Sequence, residues 1–163
     1  MAFSEFLKVF SLLSESGLLY LDLGKPSPDD LVEMLGIVKS ELDRYRISLH
    51  RVIFRTQRKK DVDTIRDFDP EFRIAFQIPS DKWLEENGET FEKRLSFALK
   101  RGVRDIALNH SQYTKDRAAF LKKKKVRVII QKANMVDQIM DDIDLGAYLI
   151  GTNRTSPKEL LRL

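Results

Sequence analysis

The sequence predicts an α/β fold with a parallel sheet, on three observations. Short apolar runs alternate with longer amphipathic stretches along the chain. The apolar runs are continuous, which is typical of buried parallel strands. The amphipathic stretches have helical spacing, and residues 3–14 are the first of them. Because strands that alternate strictly with helices are joined by right-handed crossovers, the sheet is expected to be parallel.

Six strand–helix units are predicted, and one helix precedes them. The predicted strands are residues 18–21, 51–55, 72–78, 103–108, 126–130 and 147–150. The predicted helices are residues 3–14, 28–45, 61–67, 81–100, 114–124 and 135–145, and a last one from Ser156 onward. Two helix starts carry a capping serine followed by proline, at Ser27 and Ser156. Gly88 predicts a break inside the fourth helix.

Two architectures fit this pattern. An open, doubly wound sheet needs only about six strands, whereas a closed barrel of eight units typically needs about 250 residues. The chain has 163 residues. Length alone therefore favours the open sheet, in a single domain over residues 1–163.

Composition excludes several classes of protein. The chain has no cysteine and two histidines, His50 and His110, so disulfide scaffolds and most zinc sites are excluded. Its net charge of +4 comes from 29 cations mixed with 25 anions, so a nucleic-acid partner is not expected. Neither a signal peptide nor a membrane-spanning stretch is predicted, and a cytoplasmic location is expected.

The candidate site residues follow the predicted strands, because parallel sheets place their sites at the carboxyl ends of strands. Those singled out are Asp22, Lys25, Arg55, Gln57, Gln77, Asn109, His110, Gln131, Lys132, Asn134, Thr152, Asn153 and Arg154.

Each of these residues has two interpretations. Asp22 could bind Mg²⁺ or Ca²⁺ and Lys25 a phosphate oxygen, or the two could form an ordinary turn. His110 could be a general acid or base, or an ordinary loop residue. The run of lysines at residues 122–125 is expected to be a solvated helix end, with binding to an anionic membrane surface or to nucleic acid as the alternative. Trp83 is expected in the core, with a role in substrate stacking as the alternative.

The ordered series of segments resembles glycerophosphodiester phosphodiesterases. In that family a strand ends in Glu-Ile/Leu-Lys, and the closing strand is followed by Thr-Asn/Asp-Arg-Pro. The matching segments are residues 21–26, 52–57, 72–76, 124–131 and 145–154, of which the last matches best. The resemblance extends over essentially the whole chain and implies a partial TIM-type (β/α) barrel, corresponding to the C-terminal three-quarters of the family's domain.

The resemblance also implies a reaction. The family hydrolyses glycerophosphodiesters to glycerol 3-phosphate and an alcohol, with a divalent metal and a pair of histidines. Asp22 stands at the family's metal-binding glutamate. Lys25 stands one residue beyond the phosphate-contacting lysine, whose position Gly24 occupies. Arg55, His110, Gln131 and Asn153 are the further candidates for contact with the small anionic substrate.

The family's first two strands have no counterpart in this sequence. They hold a His-Arg-Gly motif, the Glu-x-Asp metal ligands and the second catalytic histidine. The isolated chain is therefore expected to be inactive, and its catalytic residues are left unassigned. The alternative is a non-catalytic binding or assembly module on the same scaffold. Open sheet edges would then need a second copy of the chain or a complementing segment to cover them.

Overall fold

A computed structural model describes residues 3–12 and 17–152. The elements in chain order are α1 (Phe3–Ser11), β1 (Leu19–Asp22), α2 (Pro28–Arg44), β2 (Val52–Thr56), α3 (Lys59–Phe68), β3 (Arg73–Gln77), α4 (Asp81–Glu86), α5 (Phe91–Lys100), β4 (Asp105–Asn109), α6 (Lys115–Lys123), β5 (Arg127–Gln131), α7 (Val136–Asp144) and β6 (Leu149–Gly151). Short 3₁₀ turns at Leu49–Arg51 and His110–Gln112 lie beside β2 and β4. The helix predicted from Ser156 lies outside the described residues.

The strand order decides between the two predicted architectures. The six strands form one sheet in the order β1-β2-β3-β4-β5-β6. The pairs β1–β2, β3–β4, β4–β5 and β5–β6 are parallel. A doubly wound sheet reverses its strand order at a switch point, and this sheet does not. The preference for an open doubly wound sheet was therefore wrong, and the partial TIM-type (β/α) barrel is confirmed. Length misled because it cannot distinguish a complete open sheet from part of a barrel.

The chain divides into two compact units, Met1–Ile74 and Ala75–Leu163. In the first unit, β2 is buried at Val52, Ile53 and Phe54, as expected for a strand covered on both faces. The ring centroid of Phe54 lies 4.8 Å from that of Phe72. Helix α2 buries Leu31, Leu35, Val38 and Leu42, whose spacing of three and four residues makes one apolar stripe.

Helix α2 begins as predicted. The Ser27 hydroxyl accepts a hydrogen bond from the backbone N–H of Asp30 at 3.2 Å, and the Asp30 carboxylate accepts one from the Ser27 N–H. Pro28 is the first helical residue, where its missing N–H costs no helical bond. This reciprocal cap fixes where the chain leaves the loop after β1.

In the second unit, β4 and β5 have apolar centres like that of β2. Their buried apolar residues are Ile106, Ala107, Leu108, Val128, Ile129 and Ile130. At the amino ends of the two strands, Arg127 donates to both carboxylate oxygens of Asp105, at 2.6 and 2.9 Å. This hydrogen-bonded pair raises the pKa of the Arg127 guanidinium.

Two predictions about the stretch after β3 have different outcomes. The break at Gly88 is confirmed: the residue has φ +62° and lies between α4 and α5. The core position of Trp83 was wrong, because its side chain is 40% exposed. The ring lies on the outer side of short α4, with the Arg94 guanidinium 5.6 Å from its centroid.

Candidate functional site

The first candidate site lies at the carboxyl ends of β1 and β2. Asp22 is the last residue of β1, and Arg55 is its register partner in β2. The Arg55 guanidinium donates a short hydrogen bond to Oδ2 of Asp22. The Asp22 side chain is 56% exposed and that of Arg55 20%. Adjacent strand ends therefore bring together two of the predicted site residues as an ion pair.

The loop after β1 holds Asp22 from the other side. The Gly24 N–H donates to Oδ1 of Asp22 at 3.1 Å, and the Leu23 N–H donates to the Arg55 carbonyl at 3.1 Å. Gly24 has φ +62°, a left-handed conformation that glycine adopts without steric cost. Both carboxylate oxygens of Asp22 thus accept hydrogen bonds, and the loop turns sharply before Lys25.

A cavity of about 210 Å³ opens at this point. Its lining residues are Asp22, Gly24, Lys25, Arg55, Thr56 and Gln57. Two cations and one anion line it, which leaves an excess of one positive charge. The arrangement therefore suits an anion more than a cation.

The floor of this cavity is tied to the next helix. The buried carboxylate of Asp61 accepts hydrogen bonds from Thr56 Oγ1 at 2.7 Å and from Arg58 Nε at 2.8 Å. The Arg58 guanidinium also donates to the Pro26 carbonyl at 2.6 Å. These bonds connect β2, α3 and the loop after β1, and so hold the cavity walls in place.

The metal-ligand role predicted for Asp22 does not fit its surroundings. Within residues 3–12 and 17–152, no three histidine, aspartate or glutamate side chains are grouped so as to hold a metal ion. Both oxygens of Asp22 are engaged, one of them by a guanidinium. Binding of Mg²⁺ or Ca²⁺ by this chain stays a prediction, and we derive no chemical step from it.

His110 belongs to the second unit, in the 3₁₀ turn directly after β4. The turn is held by Gln112, whose side chain is buried. Its Oε1 accepts a hydrogen bond from the Asn109 N–H at 3.2 Å, and its Nε2 donates to the Pro79 carbonyl at 2.6 Å. The backbone around His110 is therefore fixed by a buried amide side chain.

The His110 imidazole is paired with a buried carboxylate. Its Nδ1 lies 3.1 and 3.0 Å from the two oxygens of Asp142 in α7. Asp142 is 0% exposed, whereas the His110 side chain is 26% exposed. Burial raises the pKa of the Asp142 carboxyl, and the hydrogen bond from His110 opposes that rise. The histidine is thus an oriented side chain, which the interpretation as an ordinary loop residue does not predict.

A cavity of about 390 Å³ lies beside this pair. Its lining residues are His110, Ser111, Tyr113, Thr114, Lys115, Asp141, Asp144 and Leu145. The Tyr113 hydroxyl donates to the Leu145 carbonyl at 3.0 Å, which ties the turn after β4 to the end of α7. Burial raises the pKa of this phenol.

The remaining candidates have different outcomes. Gln131 is the last residue of β5, in register with Asn109 of β4 and Gly151 of β6, at the carboxyl end where it was predicted. Asn153 lies outside the described residues. Asp142 was not predicted. A signal was present, because Asp142 shares the buried face of α7 with Ile139, three residues earlier.

Among the described helices, none has the length and apolar character to cross a membrane. No protein-family model matches the chain. No curated protein matches it in sequence.

Solved structures do match the chain. A protein from Silicibacter pomeroyi described as a glycerophosphoryl diester phosphodiesterase matches with a TM-score of 0.81 and 15% identity, over 98% of this chain and 56% of that one. One from Agrobacterium tumefaciens matches at 0.76 and 18%, over 99% and 62%. A phosphodiesterase from Oleispira antarctica, in complex with the product sn-glycerol-3-phosphate, matches at 0.71 and 13%, over 98% and 59%.

The chain spans about three-fifths of the length of these structures. At this level of identity the likeness concerns the fold, and it agrees with the resemblance found in the sequence. This chain has the fold of the glycerophosphodiester phosphodiesterases.

Proposed function

We propose that the chain is the phosphate-binding part of a glycerophosphodiester phosphodiesterase-like domain, with Arg55 and Lys25 as its contacts to the anionic substrate. The observation that carries the proposal is the cationic cavity at the carboxyl ends of β1 and β2. A guanidinium and an ammonium are the side chains that bind phosphate oxygens best. The Oleispira antarctica phosphodiesterase of similar fold binds sn-glycerol-3-phosphate, which is the product expected of the reaction here.

In this proposal Asp22 acts on Arg55 rather than on a metal. The ion pair holds the guanidinium at the strand end, and it leaves the Lys25 charge uncompensated within the cavity. Hydrolysis to glycerol 3-phosphate and an alcohol would need groups besides those described here. The isolated chain is therefore proposed to bind a phosphoester without cleaving it.

Isothermal titration of the purified chain with glycerol 3-phosphate tests this proposal. Saturable binding is expected, and Arg55→Gln should weaken it by about tenfold or more, since a charge-assisted hydrogen bond contributes on the order of 1.5–3 kcal/mol. Arg44→Gln is the matched control, because Arg44 is an exposed arginine of the same unit that pairs only loosely, at 3.4 Å, with Glu41. Equal affinities of both variants and the unchanged chain would refute the role of Arg55.

Titration with Mg²⁺ and Ca²⁺ addresses the metal. Because the Asp22 carboxylate is already engaged, titrations without saturable binding of either ion would contradict its predicted metal-ligand role. Binding that Asp22→Ala abolishes would instead restore the predicted metal-ligand role of Asp22. The phosphate-binding proposal stands or fails separately, on the titration with glycerol 3-phosphate.

The second candidate function is a non-catalytic assembly module. A cavity of about 370 Å³ lies in the first unit. Its lining is mostly apolar and includes three carboxylates; the lining residues are Phe3, Leu21, Leu23, Met34, Ile37 and Val38, with Asp22, Asp30 and Glu33. Ile37 is 54% exposed, and β1 stands first in the sheet order. We propose that a second copy of this chain covers this cavity and the edge strand β1, because strands at the edges of sheets pair readily with one another about a two-fold axis.

Sedimentation equilibrium over a range of protein concentrations tests the assembly. A dimer that dissociates in Ile37→Asp is expected, because the new carboxylate would have to be desolvated beside the three carboxylates that already line the cavity. Lys82→Asp is a control with a new carboxylate on an exposed helix of the second unit. A monomer at every concentration would exclude the second copy and leave a separate complementing segment as the occupant to be sought.

A further inference from the structure

His110 and Asp142 form a hydrogen-bonded pair outside the cationic cavity. A carboxylate with no solvent exposure faces one ring nitrogen of a partly exposed imidazole, at 3.0 and 3.1 Å. An ionised buried carboxylate is costly unless it is hydrogen-bonded. Donation from Nδ1 meets that need, so the neutral imidazole carries its proton on Nδ1.

This arrangement leaves one ring nitrogen for a ligand. With Nδ1 donating to Asp142, the lone pair of Nε2 is available, and His110 lines the cavity of about 390 Å³. An imidazole that a buried carboxylate orients and holds in one tautomer is the base of many hydrolytic sites. The backbone of the 3₁₀ turn that carries His110 is held by Gln112.

The charges around the cavity indicate the class of ligand. Lys115 contributes one positive charge, and Asp141 and Asp144 contribute two negative ones. The carboxyl of Asp142 lies next to the ring, and its burial raises its pKa. A phosphate anion would be repelled by this excess of carboxylates. A neutral acyl ester would not be, and this site is therefore independent of the proposed phosphate-binding function.

We propose that His110 is the proton-transferring residue of a second site, which acts on neutral acyl esters, and that Asp142 is its positioning residue. Nε2 takes a proton from a water molecule while the water oxygen forms a bond to the acyl carbon. The bond between that carbon and the alcohol oxygen then breaks, and the departing alkoxide takes the proton back from the imidazolium. One ester and one water give one acid and one alcohol, and no other reactant is needed.

Nuclear magnetic resonance of the ring nitrogens tests the geometry without any substrate. At about pH 8, where model imidazoles are neutral, the ¹⁵N shifts of His110 should report a proton on Nδ1 and none on Nε2. Asp142→Asn should shift the ring toward a mixture of tautomers. A proton on Nε2 in the unchanged protein would overturn the proposal, and this measurement does not depend on a variant folding.

Hydrolysis of 4-nitrophenyl acetate, a neutral ester, tests the chemistry. His110→Gln should lower the protein-dependent rate by about 100-fold or more, in line with the usual contribution of a general base. His50→Gln is the matched control, since His50 is the only other histidine and is exposed in a turn. Asp142→Asn should lower the rate in step with the tautomer change. An equal rate in all three variants would refute the catalytic role of His110.

Discussion

At the residue scale, Asp22 at the end of β1 and Asp142 in α7 show why position alone does not define the role of an aspartate. Asp22 is largely exposed and accepts hydrogen bonds from a guanidinium and a backbone N–H. Asp142 is fully buried and faces an imidazole. The first was predicted because it follows an apolar run. The second was missed because it is one of three aspartates at positions 141, 142 and 144, and only the packing of α7 distinguishes them.

A third aspartate, Asp69, yields a prediction about pH. The hydrogen bond from the Lys39 ammonium, at 2.6 Å, and that from the Glu71 N–H, at 2.9 Å, lower the pKa of the Asp69 carboxyl. Its folded pKa lies below the unfolded one, so its stabilising contribution is present at neutral pH and is lost as the pH falls through the folded value. Asp69→Asn should therefore unfold at lower urea concentration than the unchanged chain at about pH 7.

Urea unfolding followed by circular dichroism at several pH values measures this difference. It should shrink as the solution is acidified below about pH 4, the ordinary range of an aspartate. Arg44→Gln, on the surface of the same unit, controls for general charge effects. A difference between Asp69→Asn and the unchanged chain that is constant with pH would mean that the Lys39 pair is not its source.

At the element scale, the sequence predicted every strand of the described part to within a few residues, because short continuous apolar runs between longer helical stretches are typical of buried parallel strands. Residues at the margins were harder. Asp22 is the last residue of β1, where the prediction ended the strand at Leu21. Trp83 was misplaced because α4 has only six residues. A helix that short packs few side chains, and Leu84 is its buried one.

The left-handed turn at Gly24, in the loop between β1 and α2, can be tested by comparing alanine substitutions at Gly24 and at Gly36. Gly24→Ala should destabilise the fold by about 1 kcal/mol, because alanine at φ +62° is strained. The same change should weaken binding of glycerol 3-phosphate, since it disturbs the turn before Lys25. Gly36→Ala, inside α2 with open space at its Cβ position, should instead stabilise by about 0.5–1 kcal/mol.

Thermal unfolding and isothermal titration of the two variants measure both effects. Opposite signs of the stability change are the expected result. If Gly24→Ala were as stable as the unchanged chain and bound glycerol 3-phosphate equally well, the left-handed turn would have no part in forming the site.

At the scale of the whole molecule, the resemblance in sequence and the likeness in fold agree. Neither of them predicted how the residues of the candidate site pair with one another. The strand order is that of part of a TIM-type barrel, and the chain covers about three-fifths of the length of the solved structures with a similar fold. Polar residues at strand ends could be predicted from the fold rule alone. Their pairing could not, because Arg55 neutralising Asp22 depends on the register between β1 and β2.

The purified chain is predicted not to hydrolyse glycerophosphodiesters. The sequence has no counterpart of the family's catalytic histidine pair, and the Asp22 carboxylate is engaged by Arg55. Release of glycerol 3-phosphate from glycerophosphocholine, in the presence of Mg²⁺ or Ca²⁺, should not exceed the rate without protein. Turnover that disappears in Asp22→Ala would contradict this and would make Asp22 part of a working metal site.

The hydrogen-bonded pair of Asp105 and Arg127 has a consequence for how β4 and β5 find their alignment. The central residues of β4 and β5 are apolar on both faces. Sliding one strand past the other would still bury hydrophobic side chains, so hydrophobic burial alone does not specify the register. Asp105 and Arg127 lie at the amino ends of β4 and β5, and they are opposite each other in only one register. Any slip would leave a carboxylate at 2% exposure without two of its hydrogen bonds. The ion pair therefore specifies the register between β4 and β5, which the apolar side chains between the strand ends do not.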